Sequence, residues 1–294
     1  MTDWVLGIIG GTGLYDIDGL QDRRSARVPT PWGEPSDELM SGRIGGVELV
    51  FLPRHGRGHR LTPTHINARA NIDALKRAGC TDLLSISAVG SLKPELPPGT
   101  FVAVDQFIDR TFAREKSFFG VGVAAHVSMA DPVCPRIAAL AAAAARQAGA
   151  PVVEGGTYLC MEGPQFSTRA ESRLYRSWGC DVIGMTNMPE AKLAREAELP
   201  YASICMVTDY DCWRDEAGAV EVGDVLKMLR DNAAKARDLV RRLAGMLAGP
   251  RSPSPIDTCL DGAIITPAAA RDPDLAARLD AVAGRALNAR GGAA

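Results

Sequence analysis

The chain offers almost no net charge to a polyanion. Its 33 Lys and Arg stand against 35 Asp and Glu, a formal charge of -2 over 294 residues. No electrostatic footprint for nucleic acid or an anionic membrane is visible. Paired cysteines are also lacking. The seven (Cys80, Cys134, Cys160, Cys180, Cys205, Cys212 and Cys259) are scattered and show no C-x-x-C spacing, which argues against a zinc ribbon or a dithiol redox motif. Most stand in apolar runs and read as buried free thiols of a reducing compartment. Long apolar runs are missing too. The longest, Ile137 to Ala145, stops at Arg146 and is too short to span a bilayer. No basic segment opens MTDWVLG, so no signal peptide is expected. His55, His59 and His65 match no common ligand spacing, and no carboxylate or cysteine lies close by in sequence, so no metal is expected. What remains is an expected cytoplasmic globular protein without nucleic-acid or membrane partners.

What is there is an α/β alternation. The composition, 46% hydrophobic, is enough for a sizeable core. VLGII (5–9) reads as a buried strand with a glycine turn behind it. ELMSGRI and VELVFLP, around Gly45-Gly46, read as a hairpin. Residues 65–78 read as a helix ending at Gly79, 81–90 as a strand and 100–108 as another. The Ala-rich stretch 135–148 is a helix, and Thr168 to Glu171 is a capping box opening a helix through about Trp178. DVIGM (181–185) is a short strand, with Pro189 suiting the first turn of the next helix. YASICMVTDYD (201–211) is a buried strand, and a long helix covers about Val220 to Leu247. GPRSPSP (249–255) is a turn-rich linker before a final helix near 273–288. The expected domain is thus 1–248, with 249–294 a linker and C-terminal helix packed on it.

In α/β sheets the ligand sits beyond the carboxyl ends of strands. There the chain reads GGTG, PRHGRGH, SAVGS, CMEGPQF, GMTNMPE and TDYD. From Gly11 the first reads G-T-G-L-Y-D. Asp16 occupies the third-glycine place of a dinucleotide fingerprint, and no Lys-Ser/Thr follows as in a P-loop. A turn with exposed N–H groups and the Thr12 hydroxyl suits a small oxyanion; a plain tight turn reads the same way. Arg54 offers a fork of donors, and Phe166 presents either a stacking face or a core side chain. Asp209 and Asp211 stand at i and i+2, on one side of an extended segment. Two buried carboxylates on one face are costly unless used, and the charge on one favours a proton on the other. A surface turn with an Asp cap is the plainer alternative.

Together these blocks resemble the trimeric nucleoside phosphorylase family and, within it, the 5'-methylthioadenosine phosphorylase branch. GIIGGTGL, ARANIDALKRAGC, VDQFIDRT, EGPQFSTRAES, GMTNMPEA and TDYDCW follow in that branch's order over about residues 5–245. The resemblance implies one α/β domain with a central mixed, partly barrel-like sheet flanked by helices, a homotrimer, and no metal or cofactor beyond phosphate as co-substrate. It implies that Thr12, Arg54, His55, Ser87, Ala88 and Thr186 hold phosphate. Met185 would lie against the ribose and Phe166 against the purine. Ser167, Asp209 and Asp211 would face the base, with Asp209 the acid nearest N7. His126 would reach a neighbouring subunit's 5' pocket, whose wall would include Val222 and Val225, with Ile264 and Ile265 as further candidates. The implied reaction is attack of inorganic phosphate on C1' of 5'-methylthioadenosine, in purine and methionine salvage. The alternative is a broader purine nucleoside phosphorylase acting on adenosine, inosine or methylthioinosine; the Asp pair favours 6-aminopurines. Against the family pattern, Gln165 stands for Arg, Ser87 for Thr, and Asn187 for Thr or Ser.

Overall fold

Apolar runs of five to ten residues that are buried on both faces make parallel strands, and here they assemble into one mixed sheet. The computed structural model describes residues 3–11, 14, 17–214 and 222–288. Its first strand, β1 (Val5–Gly10), lies parallel to β4 (Val47–Pro53) on one side and to β5 (Asp82–Ser91) on the other. Outside β4 come β3 (Leu39–Ile44) and β2 (Gln21–Ala26), both antiparallel. Gly45 and Gly46, at φ 57° and 86°, supply the left-handed turn of the expected hairpin. β11 (Tyr201–Asp209) runs parallel to β5.

The expected single strand over 100–108 is two strands. β6 (Phe101–Val104) pairs with β11 and with β8 (Val152–Glu154). β7 (Gln106–Asp109) pairs instead with β9 (Thr157–Cys160). The chain changes neighbours at Asp105, whose Oδ1 accepts the Gly156 N–H at 3.0 Å. Gly155 and Gly156, at φ 84° and 125°, bend the partner strands at the same level. β10 (Val182–Gly184) then joins β9 to the end of β5. The sheet therefore branches at β5, which pairs with β1, β10 and β11.

Helices cover both faces. α1 (Ala68–Arg77), α4 (Asn187–Glu196) and α7 (Asp280–Asn288) lie over one core, around Ile72, Leu83, Leu193 and Val282. α2 (Pro135–Gln147) and α5 (Val222–Met246) pack together over a second core, around Leu6, Phe51, Ile137 and Leu243. α3 (Arg169–Ser177) opens on the expected capping box: the Thr168 hydroxyl accepts the Glu171 N–H, and the Glu171 carboxylate accepts the Thr168 N–H at 2.7 Å. The stretch near 273–288 is two helices, α6 (Pro273–Arg278) and α7, divided at Leu279. The chain beyond 249 is tied down on the same body. Arg251 pairs with Asp82 and Asp257, and Arg77 and Arg285 pair with Asp280 and Glu198. Among the described residues no helix is long and apolar enough to cross a membrane.

Candidate functional site

Because β1, β4, β5 and β11 are mutually parallel, their carboxyl ends share one side of the sheet. A cavity of about 590 Å³ opens there, a size usual for a small-molecule site. Gly11, Arg54, His55, Ser87, Ala88, Phe166, Met185, Thr186, Asp209 and Asp211 all line it. Residues up to 200 apart in sequence thus meet in one place. Thr12 lies outside the described residues, as do the side chains of Val222 and Val225 on α5. Ser167 is buried beside the cavity without lining it, its hydroxyl 3.6 Å from Met161 Sδ. His126 lies away from this cavity at an exposed position. Its N–H donates to Ala263, on a bridge that pairs Ala125 with Ile264.

The acid pair is shaped by a break in the sheet. The β5–β11 register shifts between Val207 and Asp209, a bulge that re-aims the strand end. Asp211 then takes φ 50°. The segment is therefore kinked where the sequence reads as extended, yet both carboxyls reach the cavity. Asp209 Oδ1 accepts the Asp211 N–H and Oδ2 accepts the Thr208 hydroxyl, both at 2.7 Å. Burial pushes the Asp209 carboxyl above its ordinary range. Burial, with the charge of Asp209, pushes Asp211 up to about 6, and Asp211 Oδ2 is buried with no hydrogen-bond partner. Gly90 makes room for the pair: a Cβ there would lie 2.9 Å from Asp209 Oδ1.

The other polar wall is built from networks that no local motif announces. Burial and the charges of Arg54, His59 and Arg114, outweighing the opposing Leu61 hydrogen bond, leave His55 neutral, its pKa lowered to about 4. Its Nδ1 lies 2.9 Å from the Leu61 carbonyl. A carbonyl only accepts, so Nδ1 carries the hydrogen and Nε2 is an acceptor. Asn187, fully buried, accepts from Ser87 Oγ at 3.1 Å and Thr186 Oγ1 at 3.2 Å and donates to Ser203 Oγ. Asn187, one of the three departures from the family pattern, therefore orients two candidate phosphate hydroxyls.

Arg54 is 2% exposed and bound on one edge by Glu190. Burial works against its charge, but Glu190 more than compensates and holds its pKa above the ordinary value. Glu162 accepts from Thr64, Phe112, Ala113 and Arg114. Arg114 in turn donates to the carbonyls of Met185 and Met188, each at 2.7 Å. This pair staples the turn before Phe166 to the segment bearing Met185 and Thr186. Glu190, Glu162, Arg114 and the bulge were not singled out from the sequence. Their partners are 136 and 48 residues away, beyond any spacing rule. Among the described residues no group of three or more His, Cys, Asp or Glu could hold a metal ion.

Known proteins agree with this architecture. Residues 5–244 match the Phosphorylase superfamily. The chain is 61% identical over 285 residues to an S-methyl-5'-thioadenosine phosphorylase of Cereibacter sphaeroides, covering 96% of this chain and 98% of that one. It is 60% identical over 289 residues to one of Bradyrhizobium diazoefficiens, covering 98% and 99%. A crystal structure of a methylthioadenosine phosphorylase from an antarctic soil metagenomic library superposes with TM-score 0.90 at 45% identity, over 96% of this chain and 99% of that one. One from Schistosoma mansoni, in complex with adenine, gives 0.78 at 38% identity over 85% and 93%. On sequence and fold together, the chain belongs to the phosphorylase superfamily.

Proposed function

We propose that this chain cleaves the N-glycosidic bond of 5'-methylthioadenosine with inorganic phosphate, giving adenine and 5-methylthioribose 1-phosphate. The observation that carries this reading is a single cavity lined both by the Asp209–Asp211 carboxyl pair, Asp211 buried and Asp209 half-buried, and by Arg54, His55, Ser87, Ala88 and Thr186. Phosphate attacks C1' while the purine departs. Positive charge develops on the ribose ring and negative charge on the base. The phosphate dianion stabilises the first; Asp209, ionised in the free enzyme but predisposed by burial to take up a proton, donates at N7 once protonated in the complex and relieves the second. Asp211 reads the 6-amino edge, and Phe166 and Met185 hold base and ribose. The acceleration comes from placement and preorganised dipoles, without an enzyme nucleophile. No cysteine is required; all seven are free thiols.

His126 serves a neighbouring subunit's 5' pocket in a homotrimer, and the protein works in the cytoplasm. His126 is exposed and does not line its own chain's cavity, which favours its service to a neighbour. The test is base release from 5'-methylthioadenosine and from inosine, each with and without phosphate. Phosphate-dependent adenine release with little hypoxanthine is expected. Faster inosine cleavage overturns the base assignment, and phosphate-independent release overturns the reaction. Sedimentation as a monomer overturns the role of His126.

A further inference from the structure

Glu190 binds no substrate in this reading, yet it takes the two-pronged Nε–Nη2 edge of the arginine that phosphate would be expected to use. Arg54 has five N–H bonds. Nε donates to Glu190 Oε2 at 2.8 Å. Nη2 donates to Glu190 Oε1 at 3.1 Å, to Ser85 Oγ at 2.6 Å and to the Ile9 carbonyl at 3.3 Å. Nη1 donates to the Ile86 carbonyl at 3.3 Å, and the Tyr201 hydroxyl fixes Glu190 Oε1 from the other side at 2.8 Å. The edge that grips an anion with two parallel bonds thus faces a carboxylate, and one Nη1 N–H is left over. The nearby cation Arg114 carries its own carboxylate, Glu162, at 2.9 Å. His55 is neutral. Arg60 and Arg230 reach the cavity only from exposed positions.

We propose that Glu190 is a positioning residue that keeps phosphate reactive: by occupying the Nε–Nη2 edge of Arg54 and cancelling its charge, it makes phosphate bind weakly but keep its negative charge for the sugar. This rests on phosphate being the co-substrate. A bare buried guanidinium would hold the phosphate dianion tightly before reaction. It would also draw away the charge that must stabilise the ribosyl cation. Such binding deepens the ground state and lowers turnover. A guanidinium already matched by Glu190 orients the phosphate through one N–H and leaves its charge facing C1'.

The test uses the full chain and three variants, Glu190→Gln, Arg54→Gln and the double variant. Phosphate affinity is measured by calorimetry and kcat by adenine release at saturating phosphate. Phosphate dependence of the unsubstituted enzyme is read first, so failure of the underlying reaction shows there and separately. Glu190→Gln is expected to bind phosphate about tenfold more tightly and to turn over about tenfold more slowly, since a charged hydrogen-bond partner is worth that order. Arg54→Gln leaves Glu190 bare against the anion and is expected to weaken phosphate about a hundredfold. The double variant replaces the ion pair by two amides and is expected to regain most of that affinity. Weaker phosphate binding in Glu190→Gln, or a double variant no better than Arg54→Gln, overturns the proposal. If Glu190→Gln alone fails to fold, the neutral double variant against Arg54→Gln decides.

Discussion

Adding one carbon at Gly90 tests the acid pair without touching either acid. Gly90 does not occupy the left-handed region, so alanine suits its backbone. Its new Cβ would lie 2.9 Å from Asp209 Oδ1, 3.2 Å from Ile183 Cγ2 and 3.4 Å from Asp211 Cβ. The first distance is too short for a carbon and an oxygen, so the Asp209 carboxyl must retreat by several tenths of an ångström. It is held from both sides, by the Asp211 N–H and the Thr208 hydroxyl. Retreat therefore weakens at least one charge-assisted bond, worth about 1.5–3 kcal/mol. Alanine returns about 0.4–1 kcal/mol by restricting the unfolded chain, so the net stability loss is about 1–2 kcal/mol. Catalysis is the more sensitive readout. A misplacement near 1 Å costs on the order of a hundredfold, and a smaller retreat is expected to lower kcat about ten- to a hundredfold. Adenine release followed by absorbance at saturating phosphate gives kcat, and urea unfolding gives the stability. A Gly90→Ala enzyme with kcat within twofold of the parent would refute the reasoning, because the reaction would then not depend on where the Asp209 carboxyl lies.

Two more substitutions probe the buried charges. Asp211, raised to about 6 by burial and by Asp209, keeps a proton between pH 4 and 6 that the unfolded chain has already released. Native stability therefore falls as pH rises through that window and stays lower above it, by about 2–3 kcal/mol. Asp211→Asn removes this penalty, so it should unfold at a higher temperature than the parent at pH 7.5, with the gain vanishing near pH 4; an equal gain at both pH values would contradict the titration argument. Glu162 is held down to about 2, its burial outweighed by its four hydrogen-bond donors, so its contribution is present above the ordinary carboxylate range and fades as pH falls towards 2. Glu162→Gln sets an amide against those donors and leaves Arg114 without its counter-charge, an expected loss of about 3–5 kcal/mol in urea unfolding at pH 7. Unchanged stability would mean that the staple between the two site segments carries no load.

The sequence by itself determined what depends on short range. Short continuous apolar runs mark β1, β4, β5 and β11 as buried strands, and the capping box fixes the start of α3. The polar residues gathered at strand ends mark the site, because the carboxyl ends of parallel strands share one side of a sheet. Six of the polar residues so marked, Arg54, His55, Ser87, Thr186, Asp209 and Asp211, line one cavity. Where local pattern was read too far it failed for local reasons: Asp105 lets one apolar run serve two different neighbours, and Leu279 divides one helical pattern into two helices. Only the tertiary structure decided how the site is tuned. Arg54 meets Glu190 across 136 residues, Ser87 meets Asn187 across 100, and Arg114 meets Glu162 across 48. The bulge that turns Asp209 and Asp211 into the cavity exists only in the register of β11 against β5. Periodicity tells which face of a strand is buried; it does not tell which distant carboxylate will share that burial. A buried charge takes its partner from whatever the sheet register brings within about 3 Å, and that register is a property of the whole fold.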